Sequence, residues 1–409
     1  MTNFSRPIDH EELPFPKNYA PQIISKLVSH LPDCWQQTAA LALLPALSVA
    51  CGAMTYGPNH KPLAFQVAVF GMAGTGKTQF TCRPAQIVQA IVARHDNEAY
   101  QDNATICPRV MGFETSTIML GKFLQRTSSQ TVMLYSDEIS SAIGGGTQNA
   151  FMQLQPILRK GFDGIEHIMA YKEKDSFRGR IYPRLSFLAC GTPHAVFRYF
   201  NPNAVEEGST RRVIFVQHPH CEQHVEDIAY KQELVDYLRD EIEFLELQNS
   251  NLHLEAVEKA VLDWKNRKAI NCQEDLVARL MINTPADIFR RATYLAYTLN
   301  HYQDLGKALT FGRWVAEYAL ASAYNITYKV QKDIEQQDQT FFSKTAQQFH
   351  TDFNEQMFSL LPQTFSWQEV MDYRTQNQYS GDKHNMAIIS RWKKRGKIKQ
   401  IDKNKYQKI

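Results

Sequence analysis

Phe65-Gln66-Val67-Ala68-Val69-Phe70-Gly71-Met72-Ala73-Gly74-Thr75-Gly76-Lys77-Thr78 decides how this chain folds. Its first six residues read as a buried strand. The next eight fit the phosphate-binding pattern G-x-x-x-x-G-K-[ST] at every fixed position. The apolar positions Ile87, Val88 and Ile91 then keep helical spacing. A strand feeding a glycine loop that opens a helix is the context this pattern requires, because the helix N-terminus also favours an anion. The expected ligand is ATP or another nucleoside triphosphate, held by Gly71, Ala73, Gly74, Thr75, Gly76, Lys77, Thr78 and Gln79. Lys77 brings a point charge and Thr78 a hydroxyl for Mg²⁺. The bland alternative is a glycine-rich turn with an exposed lysine.

Outward from this stretch, four more short apolar runs lie around 109–112 and at 131–136, 184–190 and 212–217, with amphipathic stretches between them. That alternation predicts an α/β core over 61–222, a parallel sheet covered by helices. Residues 1–60 read as a helical region, with Ile24, Leu27, Val28 and Leu31 on one face. Residues 223–338 are almost purely helical in pattern and read as a lid. Glu335 to Gln339 is wholly polar and reads as a hinge or a helix end. Residues 339–409 form a further unit: a helix from Thr345 to Leu360, a helix through Asn385 to Lys394, then a strand and wing after Gly396.

Composition bounds the function. With 44% hydrophobic residues and a net charge of +3, the chain has room for a sizeable core and is no uniformly basic nucleic-acid sponge. Its seven cysteines (34, 51, 82, 107, 190, 221, 272) are scattered with no C-x-x-C pair, which argues against a disulfide framework and for a reducing, cytoplasmic compartment. No signal peptide is visible. Cys34 to His60 carries no charge, and within it Thr38 to Met54 is largely apolar, barely long enough to span a bilayer and with Pro45 in its middle; it reads as a buried helix pair, not a membrane segment.

Thr131 to Ser136 ends at two adjacent carboxylates, Asp137 and Glu138. Nucleotide hydrolysis calls for this pairing: Asp137 to hold Mg²⁺ alongside Thr78, and Glu138 to polarise the attacking water. Alone, the same residues also suit a capped helix start. The run Arg184 to Cys190 ends at Gly191-Thr192-Pro193, where Thr192 is placed to sense a γ-phosphate or orient the water, or simply serves a turn. Arg211-Arg212, just before the strand at 213, offers a candidate arginine finger for a neighbouring subunit's site, with a surface arginine pair as the alternative. Arg290-Arg291 reads either as a basic pair that reaches the same phosphates from the lid or as part of a solvated face.

The order of these motifs, with Phe113-Glu114-Thr115-Ser116-Thr117 before the acidic strand and Pro84 seven residues after Lys77, resembles the helicase-like P-loop proteins encoded beside primases on bacterial phages, plasmids and integrated elements. More distantly it is similar to the AAA+ helicases of superfamily 3 and the minichromosome-maintenance type. The resemblance covers about residues 12 to 325. It implies Lys77 and Thr78 on the nucleotide, Asp137 on Mg²⁺, Glu138 as base, Thr192 as sensor and Arg212, not Arg211, as finger. Val213 stands where an aromatic usually follows the finger. No primase domain is fused, so priming falls to a separate protein.

Two stretches suit DNA. Gly164 to Arg180 reads as a hairpin with a charged tip; in the resembled helicases such a hairpin grips single-stranded DNA in a central pore, which makes Lys172, Lys174, Arg178 and Arg180 candidate phosphate contacts, with a plain solvated hairpin, favoured by the interleaved Glu173 and Asp175, as the alternative. From Arg391 to Ile409 there are nine Lys or Arg against Asp402 alone. A helix, Gly396 and a two-stranded wing resemble a winged helix with Arg391, Lys393, Lys394 and Lys397 on phosphates. Trp392, Ile398 and Ile401 argue against a mere basic tail. His218, His220, Cys221 and His224 lie close enough for zinc but lack two well-spaced ligand pairs, and read as a polar loop.

The expectation is an oligomeric, hexameric AAA+ ATPase that translocates on or unwinds DNA during replication of a mobile element. The alternative is an ATP switch that binds DNA without unwinding it: a helicase loader, replication initiator, or regulator of transposition or defence.

Overall fold

The computed structural model describes residues 13–101, 104–126, 130–139, 154–170, 178–200, 208–219, 229–271, 281–348, 353–376, 389–390 and 392–409. The chain divides into two compact units, 1–331 and 332–409.

The first unit is built on a five-stranded, all-parallel sheet. Its strands are β1 (Gln66–Phe70), β2 (Val110–Gly112), β3 (Val132–Ser136), β4 (Leu185–Gly191) and β5 (Val213–Gln217), in spatial order β2-β3-β4-β1-β5. Each matches an apolar run of the sequence to within a residue or two. The reason is that strands buried on both faces need apolar residues at successive positions, and β1 and β4 are buried along their whole length. Between β1 and β4 the connections leave in opposite directions, one out to β2 and the other over to β5. In an open parallel sheet that switch point leaves a crevice at the carboxyl ends of the strands.

The charge-free stretch after Cys34 forms one helix, Asp33–Ala50, not the expected pair; Pro45 sits inside it, and short strands at Thr55–Tyr56 and Lys61–Pro62 follow. This helix is buried against the sheet. Its polar Ser48 is satisfied in a relay: Phe65 N–H donates to Ser186 Oγ (3.0 Å), Ser186 and Ser48 share a bond of 2.7 Å, and Ser48 donates to Pro45 O (2.6 Å). Among the described residues no helix is long and apolar enough to cross a membrane.

The region after 223 is helical as expected, with helices Gln232–Glu246, Glu255–Asn271, Asn283–Leu299 and Leu305–Gln348. Their buried faces join the same core as the sheet and the Asp33–Ala50 helix. The expected hinge at 335–339 is absent, because the last helix runs through it to Gln348. Asn251–Leu252 pairs in parallel with Thr55–Tyr56, tying this region back to the N-terminal one.

The second unit has helix Phe353–Leu360, strand Thr364–Ser366, helix Trp367–Gln376 and the hairpin Ile398–Asp402/Lys405–Lys408. The three strands form an antiparallel sheet with Lys405–Lys408 in the centre. A small core of Met357, Phe365, Val370, Trp392, Ile398 and Tyr406 holds it together. Ser366 and Glu369 make a reciprocal cap at the start of the second helix: Ser366 N–H donates to Glu369 Oε2 (2.6 Å) and Glu369 N–H to Ser366 Oγ (3.3 Å). Thr345 to Gln348, expected in this unit's first helix, belong to Leu305–Gln348.

Candidate functional site

Strand register brings the motif residues to one edge. Phe70 is level with Gly191, and Ser136 with Ala189. The loop after β1, the Asp137-Glu138 pair after β3 and Thr192 after β4 therefore open onto the same crevice. With strands spaced about 4.8 Å apart, β1 and β3 stand roughly 10 Å from each other. Gly71 N–H donates to Gly191 O (3.3 Å), so the loop's first residue is tied to the tip of β4.

The loop turns through left-handed residues Gly74 (φ 76°) and Gly76 (φ 77°). Residues Lys77–Thr81 then wind as a π-turn, closed by Cys82 N–H donating to Lys77 O (3.0 Å), before helix Arg83–Val92 begins. Such turns are frequent at functional sites. Lys77 Nζ and Thr75 Oγ1 both donate to Met72 O, at 2.7 and 2.9 Å. Thr78 is half-exposed, while Gln79, Asp137 and Glu138 are exposed. A Cβ on Gly74 would meet nothing within 4 Å, so the space above the loop is open. Backbone N–H groups, an ammonium, a hydroxyl and two carboxylates facing open space fit a nucleotide phosphate chain with Mg²⁺.

The two glycines differ in what they tolerate. A Cβ on Gly76 would lie 2.4 Å from the Phe80 ring, and that ring is stacked on Trp35 at 4.5 Å. Gly76→Ala is expected to cost about 2–4 kcal/mol, from backbone strain plus a displaced ring. Gly74→Ala, with strain alone, should cost about 1 kcal/mol. Urea unfolding of both variants checks this; equal losses would mean that Phe80 does not brace the loop.

Charges at the crevice register on the Cys190 thiol. Its contact with Cys82 (Sγ to Sγ 2.9 Å) and burial push it well above its ordinary value; Lys77 pulls it down and Asp137 pushes it up. Both charges thus act on the thiol at the tip of β4, in opposite directions. The five cysteines among the described residues form no disulfide.

Thr192 caps helix Pro193–Tyr199, its Oγ1 accepting from Ala195 N–H at 3.3 Å. The oxygen is engaged, and the hydroxyl proton still has a direction to donate. Ser116 in the Phe113-to-Thr117 motif is likewise a cap, for helix Thr117–Gln125.

Arg212 lies elsewhere. It precedes Val213, which is level with Gln66 at the start of β1. That is about 15 Å down the sheet from the loop, so Arg212 does not reach the crevice of its own chain. Its Nη2 and Nε bind Asp163 Oδ2 at 2.7 and 3.2 Å, and its Nη1 donates to Gly208 O at 2.8 Å. Among the described residues, the buried Nε of neighbouring Arg211 has no hydrogen-bond partner. The lid arginines do not serve the crevice: Arg290 pairs with Glu258 (2.8 Å), and Arg291 is wholly buried on Asp287 (2.8 Å). Neither the phosphate-contact nor the solvated-face reading holds for Arg291.

The hairpin exists as His167–Ala170 paired with Arg178–Ile181. Lys172, Lys174 and the Arg178 side chain lie outside the described residues. In the second unit Arg391 also lies outside them. Lys394 is exposed, as are Lys399, Lys403 and Lys405 of the hairpin. Lys393 is exposed as well, its Nζ donating to Gln400 Oε1 and standing over Tyr406, while Lys397 is half-buried with its Nζ over Phe358.

Of the suspected metal cluster, His220, Cys221 and His224 lie outside the described residues. His218 is buried with both ring nitrogens engaged, by Thr75 O (2.9 Å) and Thr81 Oγ1 (2.7 Å). Among the described residues no group of His, Cys, Asp and Glu is arranged to hold a metal. Trp35, Thr38 and Thr81 around the loop went unrecognised in the sequence, and His218, read there as part of a polar loop, is instead buried beneath the glycine loop. Only the position of His218 at the end of the strand run 212–217 hinted at it.

The sequence matches no protein-family model and no curated protein.

Proposed function

We propose that this chain is an ATPase of the AAA+ type that acts on DNA, assembling as a hexamer to translocate on or unwind it during replication of a mobile element. The observation that carries this reading is the shared edge of the parallel sheet, where Lys77, Thr78, Asp137, Glu138 and Thr192 converge. Bound Mg²⁺ would supply charge neutralisation on the phosphates, with Thr78 and Asp137 as its protein ligands. Loop amides and Lys77 bind and orient the phosphate chain, Glu138 takes the proton of the attacking water, and Thr192 orients that water. Arg212, unable to serve its own crevice, suits a neighbouring copy's. The helix-and-hairpin build of the second unit, with exposed Lys394, Lys399 and Lys405, supports a winged helix on duplex phosphates. A separate primase is the natural partner in priming.

The test is ATP turnover with and without single-stranded DNA, strand displacement on a forked duplex, and mass by light scattering. DNA-stimulated turnover, displacement and a six-subunit mass support the motor. Replacing Lys394, Lys399 and Lys405 together with alanine is expected to weaken duplex binding and flatten its salt dependence by about three counterion units. An unchanged salt slope would remove the second unit from the DNA interface.

A second reading is favoured by one observation. Arg212 is held by Asp163 in its own chain, as befits a switch that engages a neighbour only on assembly. Slow turnover indifferent to DNA, without strand displacement, would select this loader or regulator over the motor.

A further inference from the structure

The loop after β1 is held from behind by a residue that follows β5. His218 extends the β1–β5 ladder by one bond, its N–H donating to Phe70 O at 2.7 Å. Its ring then lies beneath the loop, and only about 5% of the residue is exposed. Nε2 is 2.9 Å from Thr75 O, and Nδ1 is 2.7 Å from Thr81 Oγ1. A carbonyl only accepts, so Nε2 carries the proton and Nδ1 accepts from the Thr81 hydroxyl. Thr81 in turn is 3.3 Å from Thr38 Oγ1. One imidazole therefore bridges the apex of the loop and the end of its first helical turn.

The ring has little freedom to leave. Trp35 stacks on it at 5.4 Å and on Phe80 at 4.5 Å, and the indole Nε1–H donates to Pro219 O at 3.2 Å. Burial lowers the imidazole's affinity for a proton, and the Lys77 ammonium does the same, while the Thr75 carbonyl works the other way. Lys77 is the one charged group that acts on this ring among the described residues.

We infer that His218 is a positioning residue for nucleotide binding, which it serves by fixing the Thr75–Gly76 peptide. In a trans peptide the carbonyl and the following N–H point in opposite directions. Turning the Thr75 carbonyl toward His218 therefore aims the Gly76 N–H away from it, toward the open side where a phosphate oxygen would sit. Such a donor counts most when it is oriented before the ligand arrives, so that binding incurs no cost of reorganisation. The role rests on the nucleotide reading of the crevice, and it uses a residue that touches neither phosphate nor metal.

The experiment compares His218→Phe, His218→Gln and Lys77→Ala in the full chain. The phenylalanine ring keeps the stack on Trp35 and removes both ring hydrogen bonds. Glutamine supplies an N–H for the Thr75 carbonyl. Affinity for a fluorescent ATP analogue with Mg²⁺ is read alongside the unfolding midpoint without nucleotide, and ring-nitrogen NMR reports the tautomer of the wild type. Expected are about tenfold weaker binding in His218→Phe, recovery to within about threefold in His218→Gln, little change in either midpoint, and the Nε2–H tautomer. Wild-type affinity in His218→Phe, with binding lost in Lys77→Ala, would overturn the role of His218 and leave the nucleotide reading intact. Equal losses of binding and midpoint in both histidine variants would mean a merely structural residue. Wild type that binds no nucleotide would sink the nucleotide reading, and this inference with it.

Discussion

Arg291→Ala is expected to lower the unfolding free energy by about 3–5 kcal/mol, because it removes the chief counter-charge of a buried carboxylate and the donor of two buried carbonyls. Arg291 has no exposed surface. Its guanidinium donates to Asp287 Oδ2 (2.8 and 3.2 Å) and to Pro62 O and Ala64 O (3.0 Å each), and it lies 3.8 Å from the Phe162 ring centre. Asp287 also accepts from Tyr56 Oη (2.8 Å) and Lys61 Nζ (3.2 Å). Removing the arginine takes the donor from Pro62 O, Ala64 O and Asp287 Oδ2, and leaves Asp287 with only Tyr56 and Lys61 on its Oδ1. The neighbouring Arg290→Ala breaks only a part-exposed pair with Glu258, and should cost about 0–1 kcal/mol. Urea unfolding at neutral pH separates the two; a loss below about 1 kcal/mol for Arg291→Ala would show that the cluster is dispensable.

Acid gives an independent readout of this cluster. Burial alone would raise the Asp287 carboxyl, but Arg291, Lys61 and the Tyr56 hydroxyl hold it down at about 2. The folded chain thus binds this proton less readily than the unfolded one. The contribution is complete above the ordinary carboxylate value and is lost as pH falls from about 4 toward 2. Asp287→Asn should abolish that part of the acid slope.

The second large effect concerns Glu138. Glu138→Gln keeps size and hydrogen bonding but removes the base, and should lower ATP turnover by about 10²- to 10⁴-fold while nucleotide binding persists. Asp137→Ala should act differently, by raising the Mg²⁺ concentration needed for half-maximal turnover. Strand β3 explains the division: Ser136 pairs level with Ala189, so Asp137 comes level with Cys190, nearer the sheet, while Glu138 stands one residue further out. If Glu138→Gln turns over normally and Asp137→Asn does not, the two roles are exchanged.

The sheet was legible in the sequence because doubly buried strands must be short apolar runs between turn residues. The crevice residues were legible because Gly71 to Thr78 and Asp137-Glu138 are local patterns whose chemistry depends on spacing along the chain. What escaped depends on contacts made across it. Thr75 and His218 are 143 positions apart, and Arg291 finds Pro62 across 229; no period or motif encodes either meeting. Glu335 to Gln339 misled for another reason. Its residues are polar but tolerate a helix well, so polarity there marked no break. Pro45 likewise failed to divide the Asp33–Ala50 helix.

Strand β5 has a residue of consequence at each end. Arg212 enters it on one edge of the sheet, and His218 leaves it on the other, under the glycine loop. A hydrogen-bonded strand is nearly inextensible along its own axis, so these two side chains are mechanically one body. On the hexamer reading, a neighbouring copy that drew on Arg212 would act on the same strand that ends at the histidine beneath the loop. In that assembly, occupancy of one crevice and the grip on the next would share a single five-residue lever.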